Sequence, residues 1–70
     1  GTTVKEVYAA RGRSFFEQKE FEKALPDLSK AIELGETTAE IFFVRGATHF
    51  QLGSYQQARA DLDKAITGGY

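Results

Sequence analysis

The sequence predicts an all-α fold of two tandem helix-turn-helix units, with four antiparallel helices in total, and three observations support that prediction. When residues 1–36 are laid over residues 35–70, thirteen of the 36 aligned positions are identical. Apolar residues recur at helical spacing in four segments, and a glycine or a short polar stretch follows each segment. A period of 34 residues is typical of stacked units that cannot each bury an apolar face alone.

The first helix is predicted from Val4 to about Glu17, because apolar residues recur along it with helical periodicity. Thr3 stands three residues before Glu6, which is the spacing of a capping box. In that motif the threonine hydroxyl accepts a hydrogen bond from the glutamate N–H, and the carboxylate reaches back to the threonine backbone. Thr37 and Glu40 have the same spacing, so we expect the same motif in the second unit.

The second helix is predicted from about Phe21 to Leu34, after a polar turn at residues 18–20, and Gly35 ends it. Pro26 lies inside this helix, where it removes a backbone donor and crowds the carbonyl of Glu22, at a cost of about 3 kcal/mol. Since the surrounding pattern repeats so well, we expect the helix to continue with a bend at that point. An outward-facing kink is the simpler interpretation of the proline, and a conformational hinge is the alternative.

The second unit follows the same plan. A third helix is predicted from Thr38 to Leu52, and residues 53–54 make the turn after it. A fourth helix is predicted from about Tyr55 to Thr67, and two consecutive glycines at 68–69 stop it. No segment shows the sustained alternation of a strand.

Size and charge restrict the possible partners. The 70 residues make a single domain over residues 1–70, with repeat one at about residues 4–37 and repeat two at about residues 38–70. The formal net charge is −1 and basic residues form no stripe, so nucleic acid is not an expected partner. No apolar run approaches the roughly 18 residues that span a bilayer, so no membrane partner is expected either. The chain has no cysteine and no signal-peptide pattern, which slightly favours a cytoplasmic location without fixing the compartment.

Small and aromatic residues occupy equivalent places in both units. A glycine lies in each first helix, an aromatic residue opens each second helix, and alanines follow along the second helix; these are Gly12, Gly46, Phe21, Tyr55, Ala24, Ala31, Ala58 and Ala65. Only small residues let two helix backbones approach closely, and the aromatic ring fills the space beside them. This pattern resembles the tetratricopeptide repeat family over residues 4–67. The resemblance implies a short right-handed α-solenoid and a noncatalytic module that binds a protein or peptide segment.

In that family the first helices line a concave groove that receives the ligand. The resemblance maps this groove onto the following residues of both first helices: Glu6, Ala9, Arg13, Phe16, Glu17, Glu40, Phe43, Ala47, Phe50 and Gln51. Phe43 stands where repeat one has Ala9, and it could project beside Phe16 and Phe50 to make an apolar groove edged by Arg13 and acidic residues. Clustered exposed aromatic residues often mark an interaction site. Alternatively, Phe16 and Phe50 fill space between the helices.

Two arginines depart from the family pattern. Arg11 and Arg45 precede the glycines where a large apolar residue is common, and each second helix carries an aspartate, Asp27 or Asp61. The paired occurrence predicts an ion pair across each hairpin, Arg11 with Asp27 and Arg45 with Asp61. A partly buried pair of this kind would be more costly to break than a surface pair.

The residues that carry catalysis are nearly absent. His49 is the only histidine and stands where repeat one has Phe15, so it is interpreted as an aromatic-sized packing residue. Ser14, Ser29 and Ser54 have no histidine placed to activate them. We therefore expect no enzyme activity, no cofactor and no metal. A different class of function remains open, because the fourth helix carries an apolar stripe that could meet another repeat: the chain could self-assemble, or be part of a longer superhelix.

Overall fold

The computed structural model describes all residues 1–70 and contains four α-helices and no strand. The helices are α1, Val4–Glu17; α2, Phe21–Glu33; α3, Ala39–Gln51; and α4, Tyr55–Thr67. α1 packs against α2 and α3 against α4, so each repeat is a helical hairpin. The two hairpins meet where α2 packs against α3, with a lighter contact between α1 and α3. This confirms the predicted fold of two tandem helix-turn-helix units.

The start of α1 is as predicted and the start of α3 is not. The Glu6 N–H donates to Thr3 Oγ1 at 3.4 Å, and the Thr3 N–H donates to Glu6 Oε1 at 3.1 Å, which completes the capping box. The predicted box of Thr37 with Glu40 is wrong. Thr38 caps α3 instead, and its hydroxyl accepts from the Ile41 N–H at 3.3 Å. Two adjacent threonines compete for the cap, and the use of Thr38 places isoleucine where the box needs a carboxylate.

All four helices end in the same way, with one residue in the left-handed region of the backbone. These residues are Lys19 (φ 63°), Gly35 (φ 105°), Gly53 (φ 82°) and Gly69 (φ 90°). The N–H of the following residue donates back into the last turn, for example from Glu20 to the Phe15 carbonyl at 2.8 Å. Glycine adopts this conformation without steric cost, whereas Lys19 has a Cβ and is strained there.

The core lies between the hairpins and is built from small and branched residues: Ala24, Leu28, Ala31, Ile41 and Val44. The glycines bring the two helices of each hairpin together. A Cβ added at Gly12 would lie 2.8 Å from Leu28 Cγ, and one at Gly46 would lie 3.0 Å from Leu62 Cγ. Both distances are below ordinary van der Waals contact, and at Gly12 a Cβ would require the buried Leu28 to shift.

Pro26 does not break α2. The helix runs as one element through Pro26, whose side chain is exposed. An exposed proline leaves the buried face of α2 intact. The bend expected at Pro26 stays a prediction.

Candidate functional site

The candidate site is the surface formed by α1 and α3, which we call the groove face. It comprises the eight predicted binding residues Glu6, Ala9, Arg13, Phe16, Glu40, Phe43, Ala47 and Phe50. None of the eight is fully buried: Ala9, Phe16 and Ala47 are half-buried and the others are exposed. Glu17 and Gln51, also assigned to the groove, are exposed as well. All of these side chains are therefore available at the surface of the two first helices.

One ion pair joins the two repeats across the groove face. Arg13 Nη1 on α1 lies 2.7 Å from Glu40 Oε1 on α3, and both side chains are about half exposed. The pairing follows from the cap of α3, because Thr38 takes over capping and leaves the Glu40 carboxylate free to reach α1. The only arginine of the groove face is thus already bound to a carboxylate of the same face.

Glu6 has a second role beside its place on the groove face. Its carboxylate accepts from the Thr3 hydroxyl at 2.8 Å and from the Thr3 N–H at 3.1 Å. These hydrogen bonds, the side-chain one first, lower the pKa of Glu6 below its ordinary value. Glu6 therefore stays ionised and adds a fixed negative charge at the first turn of α1.

Two phenylalanines of the groove face pack against the helix that follows them. The Phe16 ring meets Phe21 edge to face at 5.7 Å between centroids. The equivalent Phe50 ring meets Tyr55 in the same way at 5.4 Å. Phe16 is half-buried, whereas Phe50 remains exposed over more than half of its surface. The filling role considered for both phenylalanines thus describes Phe16 better than Phe50.

Phe43 contacts a residue that the sequence reasoning missed. Its ring stacks on Tyr70 with centroids 5.0 Å apart and an angle of 31° between the planes. Phe43 is 39% exposed and Tyr70 is 63% exposed, so the pair forms an aromatic platform at the surface. The 34-residue alignment shows only that Phe43 and Tyr70 occupy the positions of Ala9 and Glu36, and not that the two rings meet.

At the equivalent place in repeat one, the groove face is open. Ala9, Arg13 and Glu36 line both a small cavity of about 30 Å³ and a wider, more open one of about 310 Å³. The small cavity continues between the hairpins toward Leu28, Thr38, Glu40, Ile41 and Val44. The wide cavity is completed by Thr2, Glu6 and Ala10. The small side chain of Ala9 leaves room where Phe43 fills it in repeat two.

Both predicted ion pairs are confirmed. Arg11 Nε and Nη2 bind Asp27 at 2.6 and 2.9 Å, and Arg45 binds Asp61 through the same atoms at 2.7 and 2.9 Å. The pairs differ in burial: the side chain of Arg11 is 58% exposed and that of Arg45 is 20% exposed. The hydrogen bond to Asp27, and then its charge, raise the pKa of Arg11. These pairs lie across the hairpins and stabilise them, apart from the groove face.

His49 packs beside the second of these pairs. Its Nε2 lies 3.8 Å from Asp61 Oδ2, too far for a hydrogen bond, and its Nδ1 is buried without a partner. Burial lowers the pKa of His49; Asp61 opposes that shift and Arg45 adds to it. Since Asp61 is bound by Arg45, its carboxylate does not orient the imidazole as a catalytic pair would.

In the whole chain, no group of three or more His, Cys, Asp or Glu residues is placed to hold a metal ion. None of the four helices combines the length and the apolar character that crossing a membrane requires.

Comparison with known proteins gives one match. A family model described as TPR repeat matches residues 12–53, from the close-packed glycine of α1 to the glycine that follows α3. The matched segment contains α2 and the junction between the two hairpins. No curated protein and no solved structure matches the chain.

Proposed function

The chain belongs to the tetratricopeptide repeat family, and from this we propose that it is a noncatalytic interaction module that binds a peptide or protein segment on its groove face. Tetratricopeptide repeats are generally protein–protein interaction modules. One observation carries the proposal for this chain: the rings of Phe43 and Tyr70 stack on each other at the surface, where Phe43 is 39% and Tyr70 is 63% exposed. Exposed apolar rings with polar residues around them are typical of binding surfaces.

Rigid presentation is the physical basis of the proposed binding. Phe43 projects from the middle of α3, which is held by α4 on one side and by α2 on the other. The ring is further held by its stacking on Tyr70. A ligand therefore meets an aromatic surface that needs little ordering, and most of the entropic cost falls on the ligand.

A selection from a random peptide library tests this function. The random segment is flanked on both sides by uncharged glycine-serine linkers, so that no terminal charge takes part in binding. We expect the immobilised chain to enrich apolar peptides, and Phe43→Ala to weaken binding of the enriched peptides at least tenfold, as for an interface anchor. The thermal unfolding midpoint should change little, because Phe43 lies outside the buried core. Val4→Ala is the matched control, since Val4 is also exposed and apolar but lies off the groove face. Equal affinity of Phe43→Ala and the unchanged chain would remove the groove face from the proposal.

Self-assembly through α4 is the second candidate function, and one observation favours it. Ile66 is 70% exposed, whereas the equivalent Ile32 of repeat one is half-buried and packs against the core. The face that receives the next hairpin in repeat one is therefore uncovered in repeat two. Sedimentation velocity over a range of concentrations tests this candidate. Ile66→Glu should abolish any association without changing peptide binding, and a chain that stays monomeric at the highest concentration reached would exclude it.

A further inference from the structure

The groove face differs from end to end in charge and shape. In repeat two it presents the aromatic platform of Phe43 and Tyr70. In repeat one the equivalent place is open, with Ala9 at its base and Glu36 at its side. A ligand that lies along the groove face would contact the open cavity of repeat one and the aromatic platform of repeat two. These two surfaces therefore select the side chains at two neighbouring positions of the same ligand.

The charge around the two cavities of repeat one indicates which ligand side chain they favour. Three carboxylates line the two cavities there, Glu6, Glu36 and Glu40, against the single guanidinium of Arg13. Arg13 and Glu40 neutralise each other at 2.7 Å, which leaves Glu6 and Glu36 in excess. Glu6 accepts hydrogen bonds only from Thr3, which is uncharged, and Glu36 takes part in none of the ion pairs of the chain. Lys5, beside Gly35, is a further cation near this place, but it does not line either cavity.

The shape of the wide cavity suits a long cationic side chain. Its walls include the methyl groups of Ala9 and Ala10, and its polar edge carries Glu6 and Glu36. Lysine and arginine have an aliphatic stem that packs on apolar surface and a charged end that remains at a polar edge. The cavity, of about 310 Å³, is an open depression of the surface, so a side chain can reach it from solvent.

We propose that the ligand of the groove face is a basic peptide, in which a lysine or arginine enters the cavity beside Ala9 and Glu36 while an adjacent apolar side chain packs on Phe43 and Tyr70. This inference rests on the proposed function and specifies the ligand that it requires. An acidic peptide is disfavoured by the same charges, because it would bring a carboxylate toward Glu6 and Glu36 and would have to displace Glu40 from Arg13.

The peptide selection described above tests this proposal when it is repeated with Glu36→Gln. The unchanged chain should enrich lysine and arginine next to aromatic or aliphatic residues. Glu36→Gln should reduce the enrichment of basic residues and keep that of apolar residues, and Phe43→Ala should reduce the enrichment of apolar residues and keep that of basic residues. Glu22→Gln is the matched control, because Glu22 is an exposed carboxylate on α2 that lines neither of these cavities.

Affinities of a selected peptide complete the test. Fluorescence anisotropy should give about two- to fivefold weaker binding to Glu36→Gln, the effect of one exposed ion pair. Replacing the peptide lysine by glutamine should weaken binding to the unchanged chain more than binding to Glu36→Gln, in which only Glu6 remains in excess at the cavity. Added salt should weaken binding of the lysine peptide more than that of the glutamine peptide.

The possible failures are distinguishable. Enrichment of apolar peptides without basic residues, or enrichment of aspartate and glutamate, would overturn the basic ligand and leave peptide binding intact. The same holds if Glu36→Gln and Glu22→Gln bind the lysine peptide equally well. A selection that enriches no sequence would overturn both this inference and the proposed function.

Discussion

At equivalent positions, repeat one places Ala9 beside Glu36 and repeat two places Phe43 beside Tyr70. The backbone plan is the same in both repeats, as the matching helices and helix ends show. The difference lies in side chains that do not hold the hairpins together. It indicates that each repeat keeps its fold with a few small and branched residues and varies its surface independently. The predictions below compare one repeat with the other at four further pairs of positions.

The largest expected difference is between the two buried aspartates. Asp61→Asn leaves Arg45, which is mostly buried, without its charged partner, so it should lower the free energy of unfolding by about 3 kcal/mol. Asp27→Asn should lower the free energy of unfolding clearly less, because Arg11 is mostly exposed and water can replace the lost carboxylate. Urea denaturation of the two variants checks the comparison. Equal losses would show that the exposure of the arginine does not set the cost.

The next difference concerns the close-packed glycines. A Cβ in Gly12→Ala would lie 2.8 Å from Leu28 Cγ and Cδ2 and 3.1 Å from the Leu28 backbone nitrogen. Leu28 is fully buried, so overpacking by about 1–3 kcal/mol should exceed the gain of about 1 kcal/mol in helix propensity. Gly46→Ala should lose less stability, because the nearest contact of the added Cβ is 3.0 Å and its neighbour Leu62 is only half-buried. Thermal unfolding of both variants measures the difference, and a more stable Gly12→Ala would contradict the close approach of α1 and α2.

A smaller effect should come from the turn within each hairpin. Lys19 has φ of 63° where repeat two has Gly53 with φ of 82°. Lys19→Gly should therefore raise the free energy of unfolding by about 1 kcal/mol, and Gly53→Lys should lower it by a similar amount. Chemical denaturation of this reciprocal pair provides its own control. A destabilised Lys19→Gly would mean that contacts of the lysine side chain outweigh its backbone strain.

The smallest effect should be on pH dependence. Burial lowers the pKa of His49 in the folded chain, whereas the unfolded chain titrates near the ordinary value of 6.5. Below about pH 6.5 the unfolded state therefore binds more protons than the folded state. The free energy of unfolding falls with the pH until the pH drops below the pKa of His49 in the folded chain. His49→Phe, which copies Phe15 of repeat one, should remove this part of the pH dependence. Urea denaturation at about pH 7.5 and about pH 5.5 checks it. An unchanged difference between the two pH values would show that His49 does not titrate differently on folding.

Sequence reasoning was accurate for the helices and the ion pairs, which occur twice, but not for the capping box, which was also expected twice. The helices and the two arginine–aspartate pairs follow from matched positions in both repeats. It was wrong at the cap of α3, where Thr37 and Thr38 are both able to cap and the structure uses Thr38. It missed the pairing of Arg13 with Glu40 and the stacking of Tyr70 on Phe43, because each depends on how elements distant in sequence are brought together. The residues assigned to the groove are exposed or half-buried, and the assignment itself stays a prediction.

Glu40 competes with any external anion for the guanidinium of Arg13, because the two side chains already form an ion pair in the folded chain. Because both groups belong to one folded molecule, Glu40 is held beside the guanidinium, in a half-exposed pair that contributes at most about 1 kcal/mol. A free carboxylate or phosphate has to compete with Glu40 for Arg13, whereas Glu36 forms no ion pair within the chain. The proposed preference for a basic ligand thus depends in part on a contact that the folded chain makes within itself, between its two hairpins.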